Sequence, residues 1–351
     1  MHSCPYKQEK LRKTIWIILF VTVSGNLFSQ KLQDTLFFTN GSVILGEVKR
    51  IKLGVVNFDP EDANDITVQL IKLKTISATS GIFRIETTGQ HVYYGRLIPN
   101  SKTGFIAIVT AKDTLLLPIE KISVLYPFKD DFLDRFDGNI SLGYNYTRSS
   151  NFGRVNFDLN LSYITRQDEI TFAASGIYSM SDSSLTRDQE IINFKYNYYV
   201  GISWFLTTFL SYQRNLELGI QRRYQQGLGA GNKFIRTKHV YAWARTGVAI
   251  NQETSTEGVK SGTLTEIFGQ LQFNFFRFTF PKINLDVSQT FYYSLSQQGR
   301  IRNDGQTDLS WEIVSDFNLN LGFYNNYDSK PPASAASTFD FGIIFGVSYK
   351  F

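Results

Sequence analysis

From Gly138 to Phe351 the chain alternates apolar and polar residues with a period of two, and this alternation constrains its fold more than any other feature. In Val155-Asn156-Phe157-Asp158-Leu159-Asn160-Leu161-Ser162-Tyr163 every odd position is apolar and every even one is polar. The pattern recurs in Ile192–Tyr198, Ile283–Val287 and Phe317–Phe323. Successive strand side chains point to opposite faces, so each segment is a strand with one apolar and one polar face. No segment after Gly138 is long and apolar enough to be a transmembrane helix. Of the 53 aromatic residues, 38 lie in this region, so the chain changes character near Gly138.

Twelve strands are predicted, near 138–147, 155–165, 169–180, 188–200, 204–213, 223–235, 239–251, 261–279, 283–295, 308–314, 317–327 and 338–351. Their connections sort by parity. Those after odd strands are 148–154, 181–187, 214–222, 252–260, 296–307 and 328–337; those after even strands are 166–168, 201–203, 236–238, 280–282 and 315–316. Long loops at one end and tight turns at the other are the pattern of a membrane barrel, whose short turns face the periplasm. The fold class expected is therefore all-β: an antiparallel transmembrane β-barrel of about twelve strands over residues 138–351. Lipid offers no hydrogen bonds to an open edge, so such a sheet is expected to close. Tyr and Trp near strand ends, among them Tyr144, Tyr146, Tyr163, Tyr196, Tyr198, Trp204, Tyr212, Trp311 and Tyr349, fit aromatic girdles at the two interfaces.

The preceding region reads differently. Residues 1–13 are basic and lead into the apolar run Thr14–Phe28, the layout of a secretory signal peptide ending at Ser29. Its removal would take with it Lys7, Lys10, Arg12, Lys13 and Glu9, lowering the net charge from +5 to about +2 and discarding the single cysteine, Cys4. That leaves no disulfide framework, and the basic balance that would suggest nucleic acid disappears. Residues 30–125 contain an internal repeat: Phe37–Val48 matches Ile85–Leu97, and Asp65–Ser77 matches Asp113–Ser123. Each copy has a strand, a turn at Asn40-Gly41 or Thr88-Gly89, and a second strand interrupted by glycine. Asn40-Gly41 predicts a type I′ hairpin turn. Residues 30–125 are thus expected to form a small periplasmic β-domain of two SH3- or Sm-like repeats. Residues 126–137, with Pro127 and mixed charge, are expected to link it to the barrel.

The polar parity of the barrel strands should face the lumen. It carries Asp158, Lys195, Lys233, Arg245, Glu266, Asp286, Glu312 and Asp340. Charges of mixed sign pair across a narrow interior rather than select ions, so a constricted lumen is expected. Gly227, Gly229 and Gly231 share one face of a strand and either make space for a neighbour's long side chain or allow tight curvature, with curvature the expectation. No catalytic, cofactor-binding or metal-ligating set is found. Beyond the predicted signal the histidines are His91 and His239, the first in the repeat hairpin and the second at a predicted short turn. Asp59–Asp65 is acidic but lacks the ligand spacing of a calcium loop, and Gly227–Gly231 opens no helix and so makes no phosphate loop.

The last strand carries Phe339, Phe341, Ile343, Phe345, Val347, Tyr349 and Phe351 on one parity. It resembles the C-terminal insertion signal of bacterial outer-membrane barrels, with Phe345, Val347, Tyr349 and Phe351 at its core, which implies recognition by the barrel-assembly machinery. Together with Gly138–Asn151 and the alternating strand after it, the layout resembles the outer-membrane β-barrels of unknown function called salt-induced outer membrane proteins. The resemblance covers residues 138–351 and implies location and fold rather than an activity. The expectation is a non-enzymatic outer-membrane protein without cofactor, serving envelope integrity or small-solute passage. Its partners would be outer-membrane lipid and a periplasmic component reached through residues 30–125, with no nucleic acid. The alternatives are a hydrolase in the barrel wall, or a soluble exported β-protein that binds an apolar ligand.

Overall fold

The computed structural model describes residues 33–349 except 90, 129–134, 166, 182–183, 238, 278, 315–316 and 334–335. The expected signal peptide, the central part of the expected linker and Phe351 lie outside the described residues. Among those described the chain forms antiparallel sheets, as the period-two pattern predicts, with single 3-10 turns at Leu70–Lys72, Ile119–Lys121 and Arg148–Ser150.

The first sheet comprises β1 (Asp34–Phe38), β2 (Val43–Lys52), β3 (Val55–Pro60), β4 (Ile66–Gln69), β5 (Leu73–Thr87), β6 (Val92–Pro99), β7 (Phe105–Thr110), β8 (Thr114–Pro118) and β9 (Ile122–Phe128). Strand order is β4-β3-β2-β1-β5-β6-β7-β8, and β9 pairs with both β2 and β5. The repeat is visible in the pairing: the first part of β5 returns to β1, and β9 returns to the last part of β5. One long strand is shared, so both halves bury a common core that includes Leu36, Val48, Ile51, Ile85, Ile106 and Leu125. The glycines that interrupt β2 and β6 have a steric reason. A Cβ on Gly46 would collide with the Asp59 carbonyl, and one on Gly95 with that of Val109.

Asn40-Gly41 does join two antiparallel strands, but not through a type I′ turn. Only Gly41 takes a positive φ, of 90°, and Phe38 closes the connection by donating its N–H to the Ser42 carbonyl. Positive φ at two successive turn residues occurs instead at Leu53-Gly54, between β2 and β3.

The second sheet is an up-and-down run of twelve strands in sequence order. It comprises β10 (Phe136–Thr147), β11 (Phe152–Ile164), β12 (Asp168–Ser181), β13 (Ser184–Val200), β14 (Trp204–Asn215), β15 (Ile220–Arg236), β16 (Val240–Ser255), β17 (Leu264–Arg277), β18 (Ile283–Ser294), β19 (Ile301–Val314), β20 (Phe317–Asp328) and β21 (Phe339–Tyr349). Several strands outrun their predicted ends. β19 begins at Ile301 rather than near 308, so residues 295–300 replace the predicted loop 296–307, and β12 and β13 are separated by only 182–183. The loop asymmetry is correspondingly smaller than predicted, although the longest connection, 329–338, stays at the expected end.

The sheet is strongly curled. Neighbouring strands lie about 4.8 Å apart, so β15 and β20 would be about 24 Å apart in a flat sheet. Yet Arg223 of β15 and Asp328 of β20 approach to 3.7 Å. Outward positions are apolar and exposed, as at Leu142, Leu228 and Phe345, while inward positions carry charge. An interruption of the outward face is an amide triangle of Gln289, Asn303 and Asn325, which hydrogen-bond to one another.

The expected closure is not seen: among the described residues no ladder joins β10 to β21. Every residue of β10 is exposed. The inward positions of these two strands include the short side chains or glycines Ser141, Gly143, Gly342 and Gly346.

Candidate functional site

The interior of the curled sheet is arranged in three tiers. At the long-loop end four charges alternate in a ring. Arg223 donates from Nε to Glu253 Oε1 at 2.7 Å, and Arg300 donates from Nη2 to Glu253 Oε2 at 2.9 Å and to Asp328 Oδ2 at 2.6 Å. Arg223 Nη2 and Asp328 Oδ2 close the ring. Beside it Arg302 holds Glu266 through two hydrogen bonds of 3.1 and 2.6 Å, and Asn251 and Gln225 donate to the same carboxylate. All of these groups but the half-buried Asp328 are buried, so their mutual pairing is what makes their desolvation tolerable. Ala333, in the connection that follows β20, is buried here against Gly219.

The middle tier is aromatic. Arg245 sits 5.5 to 5.9 Å from the ring centres of Phe209, Trp243 and Phe268, and donates to Gln270 and Thr207. The glycines of β15 belong to this tier and correct the curvature expectation. Phe205 and Phe209 stand directly opposite Gly231 and Gly227, and their rings occupy the space a Cβ would need. The glycines thus accommodate neighbouring aromatic side chains. The third, Gly229, lies against the Thr246 carbonyl.

At the short-turn end the first sheet forms a cap. Arg236, beside the β15–β16 turn, donates from Nη1 to Glu86 Oε2 of β5 at 2.9 Å and from Nη2 to Ser203 at 2.8 Å. Arg84 pairs with Oε1 of the same glutamate at 2.8 Å and lies 5.4 Å from the Tyr199 ring centre. Glu86 is therefore a buried carboxylate between one guanidinium from its own sheet and one from the barrel.

Between cap and aromatic tier lies a chamber of about 320 Å³. Lys195, Lys233 and Arg245 of the barrel line it, as do Lys52 and Tyr126 of the cap; its acids are Glu169 and Asp286. Glu169 accepts a short hydrogen bond from the Tyr199 hydroxyl, and Lys233 lies 4.1 Å from the Tyr199 ring centre.

The eight predicted lumen charges are distributed unevenly. Lys195, Lys233, Arg245 and Asp286 meet at the chamber, whereas Glu266 belongs to the upper network. Glu312 pairs with Lys282 at the short-turn end, 2.6 Å apart. Asp158 and Asp340 are on the strands near the open seam; Asp158 accepts from Asn160 at 2.7 Å, and neither lines the chamber. Phe345, Val347 and Tyr349 are exposed on one parity of β21. Arg302 and Asp328 fall in the predicted loops 296–307 and 328–337, because the alternation starts one strand near 308 and ends the other near 327. Arg223 and Glu169 were inside predicted strands on the polar parity, so that signal was present. Lys52, Arg84 and Glu86 had no such signal, since nothing local shows that the cap docks here. His239 donates from Nδ1 to the Phe276 carbonyl at 3.0 Å, at the turn where it was expected.

The family profile described as "Protein of unknown function, DUF481" matches residues 140–351. The chain belongs to this family. The match spans the second sheet and leaves the cap outside, and its description assigns no activity. No curated protein matches the sequence. Among solved structures, the NanC porin is 11% identical over 60% of this chain and 99% of its own, with a TM-score of 0.34. The β-domain of the Bordetella autotransporter BrkA is 14% identical over 62% and 98%, with a TM-score of 0.26. At scores this low the likenesses place no residue and assign no activity.

Proposed function

We propose that this DUF481 protein is a non-enzymatic outer-membrane barrel that admits small solutes through a constricted lumen, with its first sheet as a periplasmic cap. The observation that carries this reading is the inside-out sheet. Leu142, Leu228 and Phe345 are 74%, 69% and 66% exposed on the outside, while Glu266 and Arg302 are 0% and 3% exposed within. A soluble β-protein buries its apolar parity and hydrates its charges; a barrel in lipid does the reverse. In lipid the β10–β21 seam would be joined, because an unpaired edge has no hydrogen-bonding solvent there.

The charged tiers favour passage under control over a wide pore. The ring at one end and the cap at the other narrow the path, and the chamber between them is polar. The last strand supports delivery by the barrel-assembly machinery. Heat-modifiable migration of the detergent-extracted protein from the membrane fraction tests location; recovery in the aqueous fraction would overturn it. Single-channel conductance of the full chain against Arg236→Ala tests the cap as a constriction, with a larger or more frequent opening expected in the variant. An equal conductance in both would remove the cap from the path.

A further inference from the structure

The chamber holds more positive charge than its own side chains neutralise. Lys52, Lys195, Lys233 and Arg245 face Glu169 and Asp286, four cations against two anions. Among the described residues, no carboxylate oxygen lies within ion-pair distance of the Lys52, Lys195 or Lys233 ammonium groups. The two acids are already hydrogen-bonded, Glu169 by the Tyr199 hydroxyl and Asp286 by the Asn284 amide at 3.2 Å. Elsewhere in the lumen every guanidinium of the upper tier is matched by a carboxylate. Like charges gathered in a partly dehydrated space repel, and an anion entering it relieves that repulsion.

The remaining wall says what else such an anion would carry. Asn197, Gln272 and Asn274 turn amides toward the chamber, and the Asn197 Oδ1 has no hydrogen-bond partner although it is buried. Tyr126, Tyr241 and Trp243, aromatic residues with polar tips, also line it. Amides that both donate and accept suit hydroxyl groups, and ring faces suit the C–H face of a compact body. The volume is at the lower end of ligand cavities, which run from about 300 to 1,000 Å³.

We propose that the chamber is a binding site for a small hydroxylated organic acid, whose carboxylate is received by Lys195, Lys233 and Lys52 and whose body lies against the amide and aromatic wall. The site combines groups from cap and barrel, so it is complete only when the cap is docked. This inference names the solute class of the passage proposed above and rests on that reading for its role, but binding is measured separately from conduction.

The test is calorimetric titration of the full chain in detergent with sodium glucuronate, methyl glucoside and sodium phosphate. Saturable binding of one glucuronate per chain is expected, weakened at least tenfold in Lys195→Gln/Lys233→Gln and in Lys52→Gln. Asp158→Asn/Asp340→Asn, altered on the strands near the open seam, is expected to bind as wild type, and heat-modifiable migration shows which variants remain folded. No saturable glucuronate binding overturns the proposal, as does undiminished binding in the folded lysine variants. Equal binding of methyl glucoside overturns the role of charge, and equal binding of phosphate that of the organic body. Saturable binding without conductance would uphold the site and overturn the passage reading alone.

Discussion

Arg236 of the barrel and Glu86 of the cap, 150 residues apart in sequence, meet at 2.9 Å with both side chains out of reach of solvent. Without Arg236 the buried Glu86 carboxylate keeps only Arg84 of its two guanidinium partners and the cap loses its ion pair to the barrel, a destabilising change. Arg236→Ala is therefore expected to loosen the cap. Amide hydrogen exchange in β5 and β9 should accelerate, and the reversed pair Glu86→Arg/Arg236→Glu should restore part of the protection. Unchanged exchange in Arg236→Ala would mean that other contacts hold the cap.

The same reasoning separates two variants in the upper tier. Arg302→Ala strands the Glu266 carboxylate, which is 0% exposed, and should lower the urea midpoint of the detergent-solubilised protein by an amount equivalent to about 3–5 kcal/mol. Arg302→Met/Glu266→Leu removes both charges and fills the space, and should be close to wild type. A double variant as unstable as the single one would show that the network contributes more than mutual neutralisation.

Gly46→Ala tests the tight approach of β2 to β3. The added methyl would meet the Asp59 carbonyl, part of a backbone that cannot swing aside, so the cap should lose at least about 1–3 kcal/mol. Gly269→Ala, with open space around its Cβ position, should change little by comparison. Equal melting temperatures for both variants would contradict the steric account.

Lys52 gives the cap a pH dependence. Withdrawal from water pulls its ammonium below the ordinary value of 10.5, helped by Arg50 and Lys195 and opposed by Glu169 and Asp286. A docked Lys52 thus loses its proton at lower pH than an undocked one. Between the two pKa values the undocked state binds more protons, so docking strengthens as pH rises through that window. Anion binding should weaken over the same window, because the cation that receives the anion is lost. Titrations near neutral pH and near pH 10, for wild type and Lys52→Gln, check both signs; a pH slope that survives in Lys52→Gln would assign it to another group.

The alternation in residues such as Val155–Tyr163 and Phe317–Phe323 was sufficient to specify strands and their two faces, because side-chain direction along a strand is fixed by covalent geometry. The same local rule placed Lys195, Lys233, Arg245 and Asp286 on the polar parity. It could not gather them into one chamber while leaving Asp158 and Asp340 aside. Which inward charges meet depends on how tightly the sheet curls, and that is a property of many strands together. The β15 glycines make the same point: their spacing was plain, but only the register that sets Phe205 and Phe209 opposite Gly231 and Gly227 shows what the missing side chains make room for. The unaided sequence therefore determined strand periodicity and the apolar and polar faces of each strand, both set by neighbours a few residues away, and it showed the internal repeat in the likeness of its two copies. Only the tertiary structure decided that Glu86 answers Arg236 and that Lys52 completes the chamber, because those contacts form by docking two sheets whose facing residues share no local pattern.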